Sequence, residues 1–149
     1  GVNLITDPDL MLIMRDGPAL IEINLISNLL LDYVDDYSQH PFPEYLRTGI
    51  PVALSTDDRG MWDSTMTDEF FVATTEFNLS WDEIKQLNVN SLKYSFVDED
   101  TKQKLLTHYD KRVISFEETM TREGMKSLRA VDPDIRSFIC KEYQLCTLK

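Results

Sequence analysis

Two segments in the first sixty residues carry nearly continuous runs of apolar side chains, one at 19–26 and the other at 51–55. Such runs are typical of parallel strands that are covered on both faces. The stretch before each run has a polar cap and apolar positions on one side, as amphipathic helices do. The order helix, strand, helix, strand predicts an α/β fold with a parallel sheet or barrel. Two parallel strands do not form a stable sheet alone.

From residue 64 onward the apolar positions recur every three or four residues, which predicts helices throughout this part of the chain. The polar stretch 121–130 is expected to be a loop or a frayed helix end. No linker or repeat divides the chain, so residues 1–149 are expected to form one domain, with βα units in 1–60 and helices in 61–149. The expected helix starts are Ser64 or Thr67, Ser80 in a capping box with Glu83, Asp98, and 131–134.

Composition narrows the class of protein. The chain of 149 residues is 42% hydrophobic, which indicates a globular protein with its own core. Its formal net charge of −11 and its scattered basic residues argue against a nucleic-acid partner. The longest apolar runs, such as Leu10–Met14, are too short to span a bilayer, so no membrane partner is expected. Cys140 and Cys146 fall on different faces at helical spacing, which predicts two ordinary thiols.

The second strand ends in the polar run Ser55-Thr56-Asp57-Asp58, and Gly60 follows shortly after. In parallel α/β sheets, functional groups collect at the carboxyl ends of the strands. Two adjacent carboxylates repel each other there unless a cation or a proton is present. A divalent metal on one Asp is therefore one interpretation of the run, and a simple Asp-rich turn is the other. Ser27 and Asn28 form a similar polar pair behind the first strand.

Together these features resemble the adenosine and AMP deaminase family of the metal-dependent hydrolase superfamily, whose members are zinc enzymes on a TIM (β/α)₈ barrel. The Ser55–Asp58 run looks like the family's motif at the end of the last barrel strand. The resemblance extends from about Gly1 to about Phe116 and is closest to the growth-factor type of adenosine deaminase. The other similar blocks are Ile26–Asn28, His40–Pro41 ahead of Gly49–Val52, Asn88–Phe96, Asp98–Asp100 and Lys102–Leu106.

The resemblance implies that residues 1–149 are the C-terminal part of such a barrel, with its last two parallel strands followed by several helices. The family's other zinc ligands are histidines of earlier strands, and its general acid is a glutamate of the fifth strand. Neither His40 nor His108 matches a ligand position. A partner is therefore expected, which is either the missing N-terminal part of the same enzyme or a second copy of this chain.

The activity implied by the resemblance is the hydrolytic deamination of adenosine or 2′-deoxyadenosine, which gives inosine from adenosine and releases ammonia. Asp57 would be a catalytic zinc ligand. Asp58 would be catalytic at the purine edge, where it needs a proton to donate a hydrogen bond to the acceptor N7, and the charge on Asp57 would favour that proton. The chain is expected to be inactive alone, because it offers one matched zinc ligand and catalytic zinc takes three from protein.

Alternatives remain within and outside the enzyme class. Arg59 stands where the family usually has proline, which leaves substrate choice open between adenosine, AMP and adenine. A non-catalytic helical module that binds a protein partner is the alternative from another class, because helices dominate the second half of the chain. His40 is interpreted as a structural loop histidine. Ser27 and Asn28 either support the site or form a turn.

Overall fold

The computed structural model describes residues 1–130 and 138–145, which form eight α-helices and two β-strands. Short 3-10 turns lie at Val2–Thr6, Tyr37–Gln39 and Gly124–Ala130. The strands are β1 (Ile21–Ile23) and β2 (Val52–Leu54). The helices are α1 (Pro8–Asp16), α2 (Leu25–Leu30), α3 (Phe42–Arg47), α4 (Arg59–Trp62), α5 (Met66–Phe77), α6 (Trp81–Lys93), α7 (Glu99–Glu123) and α8 (Phe138–Glu142).

The two strands pair in parallel, with Ile21 opposite Val52 and Ile23 opposite Leu54. This confirms the parallel pairing expected from the helix-strand alternation. The first strand is shorter than predicted, because the apolar run turns into α2 at Leu25. The physical reason lies in hydrogen bonding: the backbone amides of Leu25 and Ile26 donate to a side chain of α5 and not to a neighbouring strand.

The main core surrounds this small sheet. All three residues of β2 are buried, and α5 and α6 pack against that strand. Asn90 of α6 is buried too, and its side-chain amide donates to the backbone oxygen of Val52 at 2.9 Å. The sheet and the helices around it therefore form one apolar cluster. Its most deeply buried side chains are Leu25, Ile26, Phe42, Tyr45, Val52, Val72 and Leu87.

Two of the four predicted helix starts are confirmed. Ser80 and Glu83 form the predicted capping box of α6, and Asp98 caps α7. The start of α5 was misplaced: Thr65, between the two expected residues Ser64 and Thr67, caps this helix in a capping box with Asp68. The stretch 121–130 continues α7 and then forms a 3-10 turn. The helix signal at 131–134 lies outside the described residues.

The C-terminal helix α8 is docked on α5. The backbone amide of Phe138 donates to the backbone oxygen of Asp63 at 2.8 Å, and that of Ile139 donates to the Asp68 carboxylate at 3.1 Å. Tyr143 donates its hydroxyl to Glu76 at 2.7 Å and packs edge-on against an aromatic ring of α5. These contacts attach α8 along the length of α5.

The chain divides into two compact units. One contains Gly1–Tyr94 and α8, and the other begins at Ser95 and contains α7. Within the described residues, no helix has the length and apolarity that crossing a bilayer requires. Cys140 is buried and is held in a disulfide, so the prediction of an ordinary thiol at this position is wrong. Cys146 lies outside the described residues.

Candidate active site

The candidate site lies where β2 ends. The amide of Ser55 still donates to the backbone oxygen of Ile23 at 2.8 Å, which continues the parallel ladder by one bond. Two residues later the backbone of Asp57 takes a left-handed conformation, with φ of 51°. This conformation is uncommon for residues other than glycine, although aspartate tolerates it better than most. It turns the chain out of the strand and leaves the Asp57 side chain exposed.

Ser27 is brought to Asp57 across the gap between the two strand ends. The Ser27 hydroxyl is fully buried and donates to Oδ2 of Asp57 at 3.0 Å. The other oxygen, Oδ1, accepts no hydrogen bond from any residue that the structure describes. One oxygen is thus held in place while the other is available, which fits a carboxylate that ligates a cation.

Asn28 and His40 form a separate pair beside this contact. Nδ1 of His40 accepts from the amide of Phe42 at 3.1 Å, so Nε2 carries the proton and donates to the side-chain oxygen of Asn28 at 3.0 Å. Burial of the ring lowers the pKa of His40 to about 4, which keeps the histidine neutral. Both ring nitrogens are occupied, as expected for a structural loop histidine.

Glu69 is the residue of this region that sequence reasoning missed. It lies in α5 and is fully buried, yet its carboxylate accepts from the amides of Leu25 at 2.9 Å and Ile26 at 3.3 Å. Burial, with smaller contributions from the charges of Asp68 and Asp57, raises the pKa of Glu69 to about 8, although the two amides oppose this rise. The available signal was an acidic side chain next to the aromatic residues of an amphipathic helix.

Asp58 and Arg59 are exposed at the start of α4. Asp58 is the N-cap residue of this helix, but its side chain makes no capping hydrogen bond, so the carboxylate is free to face a ligand. The amide of Arg59 donates to the backbone oxygen of Asp57 at 2.9 Å, a bond that a proline at this position would lack. The adjacent carboxylates therefore differ in setting, because Asp57 is tied to Ser27 and Asp58 is not.

The chain brings one candidate metal ligand to this place. Among the residues that the structure describes, no three histidine, cysteine, aspartate or glutamate side chains converge closely enough to hold a metal ion. Zinc in a catalytic site takes three ligands from protein and keeps one position open. Asp57 would fill one of those three positions, and the remaining ligands would have to come from outside the described residues.

The architecture agrees with that of known deaminases. The chain matches the crystal structure of an adenine deaminase from Arthrobacter aurescens with a TM-score of 0.71 and 26% identity, over 76% of this chain and 35% of that one. It matches an N6-mAMP deaminase from Arabidopsis with a TM-score of 0.64 and 23% identity, over 70% and 31%. These proteins have the barrel fold, and two parallel strands followed by helices are consistent with part of it.

Sequence similarity identifies the family. The adenosine deaminase family profile matches residues 1–112, and the chain belongs to this family of hydrolases. The adenosine deaminase of Enterococcus faecalis (strain ATCC 700802 / V583) is 32% identical over 105 residues, which are 70% of this chain and 31% of that protein. The adenine deaminase of Chelativorans sp. (strain BNC1) is 30% identical over 105 residues, 70% and 32% of the two chains. The chain spans about a third of the length of these relatives.

Proposed function

We propose that the protein carrying this chain is a zinc-dependent deaminase that hydrolyses adenosine or 2′-deoxyadenosine and releases ammonia. The observation that supports this most directly is the Asp57 carboxylate at the end of β2, with one oxygen bonded to Ser27 and the other available. In a chain of the adenosine deaminase family, this is where a metal-binding carboxylate is expected. The chain would supply the last two strands of the barrel and the helices that follow.

The two aspartates would act differently. Asp57 would ligate zinc, which in such sites activates a water molecule for hydrolysis. Ser27 would keep Oδ2 of Asp57 in place, so that the other oxygen faces the metal. Asp58 would bind the edge of the purine and would carry a proton toward N7. Its exposed position and the lack of a capping bond leave its side chain able to reach a purine.

The rest of the site would come from the part of the barrel that these 149 residues do not contain. It would include the histidine ligands and the glutamate general acid that the family resemblance implies. Residues 1–149 would then form the C-terminal part of one deaminase domain. Alternatively, a second copy of this chain would pack against the unpaired sheet edges, but it would not add the missing histidines.

Adenine is the alternative substrate, because adenine deaminases are also among the proteins that the chain resembles. The relative from Chelativorans is an adenine deaminase, and so is the structure from Arthrobacter aurescens. The two substrates differ by the ribose, whereas the roles proposed for Asp57 and Asp58 are at the zinc and at the purine. Turnover of adenosine, adenine and AMP by the same preparation would separate these possibilities.

Substitution of the two aspartates tests the proposal. In the protein that contains the complete barrel, we expect Asp57→Ala to abolish zinc binding and turnover, because a metal ligand is lost. We expect Asp58→Ala to keep the metal and to lower kcat, since purine orientation is lost. Metal content by mass spectrometry and ammonia release from adenosine measure both effects.

A matched control separates the carboxylate from the backbone. Asp32 is also exposed and also left-handed, with φ of 55°, so Asp32→Ala carries the same backbone penalty without touching the site. We expect it to keep zinc and activity. If Asp57→Ala keeps its zinc and its turnover, Asp57 is not a ligand and the proposed function fails.

A further inference from the structure

We propose that Glu69 is a positioning residue for Asp57, acting through the first turn of α2 and the Ser27 hydroxyl. This inference rests on the proposed function, because it takes Asp57 to be the metal ligand. The hydrogen bonds of Glu69 go to the backbone of α2 and not to Asp57. Its effect would pass through three consecutive residues of α2 to the carboxylate.

The first link is between Glu69 and the start of α2. The Glu69 side chain is fully buried, and each of its two oxygens accepts from a different amide, that of Leu25 at 2.9 Å and that of Ile26 at 3.3 Å. A helix leaves its first amides without partners inside the helix, and here the side chain of another helix satisfies two of them. The two bonds fix both the position and the rotation of this turn relative to α5.

The second link is between α2 and the candidate ligand. Ser27 follows Ile26 directly and is also fully buried, so the position of its Cβ is set by the turn that Glu69 holds. From there its hydroxyl donates to Asp57 at 3.0 Å, whereas the competing acceptor, the backbone oxygen of Asn24, lies at 3.4 Å. The shorter contact is the one to Asp57.

The arrangement has a cost that the two amide bonds offset only in part. Glu69 lies within reach of the charges of Asp57 and Asp68, and burying an acid in such surroundings is unfavourable. Orienting a metal ligand would be a second reason for the burial, beside the pairing of the Leu25 and Ile26 amides. Partners of this kind, one bond removed from the metal, typically change metal affinity by 10- to 100-fold when they are substituted.

Zinc affinity in the complete protein is the direct test. We expect Ser27→Ala to weaken zinc binding by roughly 10- to 100-fold, with kcat lowered and KM little changed. Glu69→Gln keeps one acceptor and should weaken binding less than Glu69→Leu, which keeps none. Chelator competition measures affinity at a temperature where circular dichroism shows each variant to be folded. Glu76→Gln is the matched control, because Glu76 lies on the same helix but bonds to Tyr143, and its zinc affinity should be unchanged.

A double variant tests whether the two residues act along one route. If Glu69 acts through Ser27, Ser27→Ala combined with Glu69→Gln should weaken zinc binding no more than Ser27→Ala alone. Additive losses, or a zinc affinity of Ser27→Ala within twofold of the parent protein, would overturn the inference. The proposed function fails separately, if Asp57→Ala keeps its zinc. Loss of zinc in Asp57→Ala with unchanged affinity in the Ser27 and Glu69 variants would reject the positioning role alone.

Discussion

At the scale of single residues, His40 couples stability to pH. Its ring is buried with both nitrogens in hydrogen bonds, and burial lowers its pKa to about 4 from an ordinary value near 6.5. Below pH 6.5 the unfolded chain therefore takes up a proton that the folded chain does not. The contribution of His40 to stability is complete above pH 6.5 and is lost as the pH falls toward 4.

We expect His40→Gln to lose less stability than the parent protein between pH 6.5 and 4, by up to a few kcal/mol, because the variant lacks the His40 contribution. Urea unfolding at a series of pH values measures the slope.

Glu69 acts in the opposite sense, because its raised pKa of about 8 makes the folded chain hold a proton that the unfolded chain releases above about pH 4.5. The Glu69 contribution therefore falls as the pH rises to 8. Equal acid slopes in His40→Gln and the parent protein would contradict the assignment.

At the scale of elements, two neighbouring hydroxyls at the start of α5 differ in hydrogen bonding. Thr65 accepts from the amide of Asp68 and belongs to a reciprocal capping box, whereas the Ser64 hydroxyl is buried without a partner among the described residues. We expect Thr65→Ala to destabilise the protein by about 1–2 kcal/mol. Ser64→Ala should be neutral or stabilising, because it removes an unpaired buried hydroxyl.

Thermal and chemical unfolding of the two variants measure this difference. Ser80→Ala serves as the comparison on an exposed capping box, with an expected loss of about 1 kcal/mol. A loss in Ser64→Ala equal to that in Thr65→Ala would show that Ser64 has a partner in solution.

Elements were predictable where their signals are local. Ser80 and Glu83 are three residues apart, so the sequence shows both halves of that capping box. The end of β1 was not predictable in this way, because an apolar residue such as Ile26 suits a buried strand and a buried helix equally. What decides between them is Glu69, which is 43 residues further along the chain. The role of Glu69 was not predictable for the same reason, because its partners are remote in sequence. Asp57 was predictable because it lies within a recognisable local motif.

At the scale of the whole molecule, the sheet is incomplete within the described residues. β1 and β2 pair with each other, and neither has a second strand beside it there. β2 is apolar throughout and β1 is apolar apart from the exposed Glu22, and unpaired apolar edges promote association. We expect isolated residues 1–149 to self-associate, to hold no zinc and to release no ammonia from adenosine, because one carboxylate cannot retain the metal.

Light scattering on a size-exclusion column and an ammonia assay check both expectations. The same residues within a polypeptide that supplies the remaining barrel strands should be monodisperse and should bind zinc. A monomeric 149-residue piece that binds zinc and deaminates adenosine would contradict both the assignment of Asp57 and the partial-barrel interpretation.

The docking of α8 has a practical consequence for where this protein can be truncated. The family match ends at residue 112, which makes that position an attractive place to truncate. Yet α8 belongs to the same compact unit as the sheet, and the Asp68 carboxylate accepts from its Ile139 amide. A truncation at the family boundary would remove a packing partner of α5 and one hydrogen-bond donor to the buried Asp68 carboxylate. The family match and the folded unit therefore end at different residues. The boundaries of an expressed fragment should follow the folded unit.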